Sequence, residues 1–150
     1  MAFLDGSHAR ALREAQNLWD RGRNAEAIGV LEAVQSDLWP RIFASDALII
    51  ATLAKYVCES GDPGRGLKIL EAAPFDERPR TDVQAICLGT RSCCRAAAGD
   101  LTGAQSDRAA LHRAQPGHPA LVPADSAIGA AKRSLLSRAM ITRPSEESSR

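Results

Sequence analysis

Aromatic side chains are nearly missing from this chain: they make up 4% of its 150 residues, while hydrophobic residues as a whole make up 45%. Strands packed in a sandwich draw on aromatic and β-branched side chains, so the scarcity argues for helices that approach one another through small residues. Charge of one sign is lacking too. The formal net charge is +1, so no global field steers the chain toward nucleic acid or an anionic membrane surface. Long apolar runs are also wanting. The longest, Ala47 to Ala54, is interrupted by Thr52 and stopped by Lys55, far short of the roughly 20 residues that span a bilayer. Met1 to Arg13 carries one short apolar pair followed by charges, without the sustained apolar segment of a signal peptide. These absences predict a soluble, cytoplasmic protein with no membrane insertion. Cys58, Cys87, Cys93 and Cys94 form no Cys-x-x-Cys pair, so neither a zinc site nor a disulfide framework is expected, and the reading includes no metal and no cofactor.

What is present is repetition. Gly22, Gly61 and Gly99 lie 39 and 38 residues apart, and each opens a similar apolar helix. Spacing of this kind marks stacked helical pairs. The length fits one domain that buries roughly two thirds of its unfolded surface. A first helix is expected from Ser7 to about Arg21, with residues 1–6 flexible before it. Asn24 is expected to cap a second helix carrying Ala27, Ile28, Leu31 and Val34 on one stripe. Ser45 or Asp46 should cap a third, whose Ile50, Leu53, Ala54 and Val57 form a full i, i+3, i+4, i+7 set. Asp62-Pro63 opens a fourth that ends by Pro74, and Thr81 or Asp82 begins a fifth running to Ala98. Gly99-Asp100 repeats the turn and cap before a sixth, which Pro116-Gly117-His118-Pro119 breaks. Asp125 to Met140 forms the seventh, with Ala127, Ile128, Ala131, Leu135 and Leu136 on its apolar side. It is expected to close the open end of the stack. Residues 142–150 are polar and expected to be disordered, which leaves 7–141 as the domain.

Alignment of the three units on their glycines gives a resemblance to tetratricopeptide repeat proteins, covering roughly Ala11 to Pro116. That family places a small residue seven before the turn glycine and an alanine five after it, where paired helices touch. Ala15, Ala54 and Ser92 stand at the first position, and Ala27, Gly66 and Ala104 at the second. Pro116 matches the closing proline of the pattern, Pro40 falls one residue late and Pro74 four early. Glu14, Arg91, Arg95 and Arg108 occupy positions the family fills with apolar or aromatic residues. In the third unit the periodicity turns Cys87 and Cys94 inward, one residue out of step with the motif, and both registers stand. The resemblance implies an all-α fold: a right-handed array of three antiparallel helix pairs, an α-solenoid, with a C-terminal capping helix. Length and layout are also similar to the small repeat chaperones of bacterial type III secretion systems.

Such arrays present a concave groove lined by the first helix of each pair, where the family holds a peptide or partner helix. By register the groove residues are Gln16, Trp19 and Asp20, then Leu48, Ala51, Lys55, Cys58 and Glu59, then Gly89 and Cys93. Trp19 also continues the Leu12 to Ala15 stripe, so a core tryptophan fits as well as an interface anchor. Lys55 and Glu59, four apart, also fit a solvated pair. Cys93 and Cys94 point about 100° apart on a helix, which favours buried thiols over joint chemistry. No spacing of His8, His112 or His118 suggests a dyad with them. Arg78, Arg80, Arg91 and Arg95, and Lys132, Arg133 and Arg138, read as solvated faces, because no aromatics interleave them for base stacking. The functional expectation is a non-enzymatic adaptor or chaperone that binds a protein or peptide. A self-associating scaffold, possible as a homodimer, is the alternative, and an enzyme ranks third.

Overall fold

A computed structural model describes residues 2–141, with side chains from Gly6 onward. The described residues form seven helices and no strand: α1 (Ala2–Asp20), α2 (Asn24–Gln35), α3 (Ala44–Glu59), α4 (Pro63–Leu70), α5 (Asp82–Ala97), α6 (Leu101–Ala114) and α7 (Leu121–Ile141). None is long and apolar enough to cross a membrane.

The three glycines build one turn three times. Gly22, Gly61 and Gly99 have φ of 78°, 104° and 90°, in the left-handed region that a Cβ disfavours. In each case the amide after the glycine bonds a carbonyl five residues back: Arg23 to Leu18 at 2.9 Å, Asp62 to Val57 at 3.1 Å, Asp100 to Arg95 at 2.8 Å. The glycine amides reach Trp19, Cys58 and Ala96, closing the same C-terminal motif on α1, α3 and α5.

Each turn folds its helix pair together, α1 on α2, α3 on α4 and α5 on α6. Between pairs, α3 packs on both α1 and α2, α5 on both α3 and α4, and α7 on both α5 and α6. Close approach within pairs depends on missing side-chain bulk. Ala15, Ala27, Ala54, Gly66, Ser92 and Ala104 are all buried. A Cβ on Gly66 would stand 2.9 Å from the Ala54 carbonyl oxygen, and the Ser92 hydroxyl donates to the Ala104 carbonyl at 2.8 Å. Cys87 and Cys94 are fully buried as well, so α5 turns inward both the cysteines of its periodicity and Ser92 of the motif.

Several boundaries differ from the sequence reading. α1 starts at Ala2 and not at Ser7, so its first turn covers residues assigned to a flexible leader. Arg23, not Asn24, is the N-cap of α2, and no side chain bonds the free amides there. Phe43 caps α3, whereas Asp46 turns inward from its first turn. Its carboxylate accepts from the Trp39 amide at 2.8 Å and meets His8 Nδ1 at 3.1 Å, so it ties the α2–α3 loop to α1. Capping follows expectation at Asp62 and Asp100, and at Thr81, which forms a capping box with Gln84. α7 begins four residues before Asp125. Leu121, Ala124 and Ile128 pack inward, but Leu135 and Leu136 are exposed. The tail expected to be disordered lies outside the described residues.

The arginines at apolar positions of the third pair are held by a buried carboxylate. Asp107, 4% exposed, accepts two bonds of 2.9 Å from Arg91 and one of 2.9 Å from Arg95. The Arg91 guanidinium also lies 4.0 Å from the centre of the Phe75 ring. Arg108 bonds Asp125 at 2.8 Å and so links α6 to α7.

Candidate functional site

α3, α5 and the start of α7 surround a cleft of about 400 Å³. Ile86, Gly89 and Thr90 of α5 line it, together with Ala120 and Pro123 from the turn into α7 and its start. Lys55, Cys58, Glu59, Cys93 and Cys94 lie toward one end, and Asp82, His118 and Pro119 toward the other. Asp82 and Cys93 are 11 residues apart on α5, which puts the ends about 16 Å apart at 1.5 Å per residue. That length takes about five residues of extended chain or three turns of helix.

The far end is a latch. His118 Nδ1 accepts from the Ala120 amide at 3.0 Å, so Nε2 carries the proton and donates to Asp82 Oδ1 at 2.6 Å. Gln115 Nε2 donates to the Pro79 carbonyl at 2.9 Å alongside. Together these bonds pin the α6–α7 turn to the start of α5. Ala120 then presses on Gly89, where a Cβ would come within 2.8 Å of the Ala120 Cβ. Both ring nitrogens of His118 are engaged, so this histidine faces no thiol as a base.

At the near end the thiols differ. Burial pushes Cys93 up to about 11, with the Cys58 and Glu59 charges adding to it. Cys58 moves down from its ordinary value because the Cys94 thiol hydrogen-bonds it, against the opposing pull of burial and Glu59. Cys94 is raised, first by that bond to Cys58 and then by burial. No three metal-ligating side chains converge among the described residues.

The structure divides the residues chosen from sequence. Lys55, Cys58, Glu59, Gly89 and Cys93 come together in the cleft. Trp19 does not; its ring stacks on Tyr56, with centroids 4.0 Å apart and planes 2° from parallel, and joins α1 to α3. Asp20 lies near enough to Tyr56 to help raise its phenol, after burial and ahead of Glu59. Gln16 is exposed on α1, and Leu48 is half-buried with its carbonyl bonded by Thr52. Ala51 is a correction. It is 1% exposed and lies in the core, because only the last turns of α3, from Lys55 on, reach the cleft.

Sequence reasoning missed Asp82, Ile86, Thr90, His118, Ala120 and Pro123. Thr81-Asp82 reads only as a helix start and Pro116 to Pro119 only as a break. Their meeting across 36 residues comes from the return of the chain over α5. A histidine bracketed by prolines in a rigid turn was the available signal. Comparison with known protein families, curated proteins and solved structures finds no match.

Proposed function

We propose that this chain is a non-enzymatic interaction module, built of three tetratricopeptide-like helical pairs with α7 as the closing helix, that holds a partner segment in the cleft between α3, α5 and α7. The observation that carries the reading is the cleft itself, a largely apolar hollow lined by residues of α3 and α5, the first helices of consecutive pairs, together with Lys55, Glu59 and Asp82. The recurrence of the glycine turn and of the odd-to-even helix contacts supports the tetratricopeptide-like arrangement. An adaptor or a chaperone both use such a groove, with apolar side chains of the partner against Ile86 and Thr90 and polar contacts from Lys55, Glu59 and Asp82.

Affinity capture from the native host tests this, comparing wild type with Ile86→Glu and with Leu136→Ser. Ile86 lines the cleft and is half-buried, while Leu136 lies exposed on α7. The expected result is a partner retained by wild type and Leu136→Ser and lost, at least tenfold, with Ile86→Glu. Identical capture by all three proteins would count against the cleft.

Self-association is a second reading, favoured by Leu135, Leu136 and Met140, which stand exposed at the end of α7. Sedimentation over a concentration series separates the two, since a strict monomer leaves only the first.

A further inference from the structure

Cys58 and Cys94 belong to different helices, α3 and α5, yet both line the cleft. Gly66 of α4 lets them meet. From the place where its Cβ would be, Cys94 Sγ is 3.3 Å away and Cys58 Cβ 3.4 Å. Cys94 Sγ also lies 4.0 Å from the Ala54 carbonyl, one helical turn before Cys58 on α3. Both side chains therefore border one gap, and the lowering of Cys58 with the raising of Cys94 agrees with that closeness. Cys87 is two helical turns from Cys94, against the Ala47 carbonyl, and takes no part.

We propose that Cys58 and Cys94 are a redox pair that a hydroperoxide converts into a disulfide, which ties α3 to α5 at one end of the cleft. Cys58 is the attacking thiol because it is half-buried and open to the cleft, whereas Cys94 is fully buried. The Cys58 thiolate attacks the peroxide, an S–O bond forms and the O–O bond breaks. The leaving oxygen takes up the proton that Cys58 released and departs as water or an alcohol, leaving Cys58 as a sulfenic acid. Cys94 sulfur then attacks the Cys58 sulfur; the S–S bond forms, the S–O bond breaks, and the hydroxyl leaves as water with the Cys94 proton. The two thiols supply the two electrons that reduce the peroxide. Cys93 stays a bystander although it lines the same cleft, because as the helix neighbour of Cys94 it points about 100° away.

The test uses the full chain, reduced and then treated with a small excess of hydrogen peroxide. Remaining thiols are alkylated after denaturation and the intact mass is measured. The expected product is a monomer with two of its four thiols protected and restored by dithiothreitol. Cys93→Ser and Cys87→Ser should each still form the bridge, whereas Cys58→Ser and Cys94→Ser should not. In Cys94→Ser the stranded sulfenic acid at Cys58 should be trapped by dimedone. A bridge that survives Cys94→Ser but vanishes in Cys93→Ser, exclusively intermolecular disulfides, or four alkylatable thiols after treatment would each overturn the proposal. The readout is independent of whether any partner occupies the cleft.

Discussion

Asp107 sits where helical periodicity would place apolar atoms, and its carboxylate gathers Arg91 and Arg95. Replacing it with asparagine keeps the shape but leaves both guanidiniums without their anion. Because the arginines keep some contact with water, we expect a loss of about 2–3 kcal/mol in urea unfolding. Asp125→Asn, at the exposed pair with Arg108, should cost less than about 1 kcal/mol. Gly66 offers a second contrast. Gly66→Ala would drive a Cβ to 2.9 Å from a backbone oxygen and should destabilise by about 1–3 kcal/mol. Gly64→Ala meets nothing within 4 Å and should be neutral or gain up to about 1 kcal/mol from helix propensity. Cys87 gives a pH effect. Burial pushes its thiol from 9.0 up to about 11, so between those values the unfolded chain releases a proton that the folded chain keeps. Stability is therefore intact below pH 9 and falls as pH rises toward 11, by about 2–3 kcal/mol for this group. Urea midpoints at pH 8 and pH 11 should drop further for wild type than for Cys87→Ala.

Among the helices, α3 and α5 hold central places. α3 packs against α1, α2, α4 and α5, and α5 against α3, α4, α6 and α7. Helices walled on every side open last, while end elements open with less free energy. Amide hydrogen exchange should therefore be slowest in Leu53 to Val57 and Cys87 to Cys94, and faster in α2 and in α7 beyond Ile128. Equal protection across all seven helices would contradict this order. The sequence made α3 legible because its apolar residues recur at helical spacing. It left Ala51 ambiguous because Ala51 shares a stripe with Lys55 and Cys58, and only the packing of neighbouring helices shows that the cleft begins beyond it. Asp46 illustrates another limit: an acidic residue at a helix start reads as a cap, and only the packed loop reveals that its partners are Trp39 and His8.

For the molecule as a whole, the glycine turns and small-residue contacts were readable because they are local rules repeated at fixed spacing. The cleft was half readable. Lys55, Cys58, Glu59 and Cys93 follow from the register, whereas Asp82 and His118 depend on where a loop lands after an entire helix pair. The same holds for Trp19, whose stacking partner Tyr56 lies on the next pair. The recurrence of the contacts has a further consequence. Since α3, α5 and α7 each rest on both helices of the pair before them, the Pro74 to Arg80 connector is a natural point for an insertion. Inserting a second copy of one helix pair there asks whether a pair behaves as a module. A variant that still unfolds in one cooperative transition would show that it does, and one that aggregates would show that each seat is particular to its own pair.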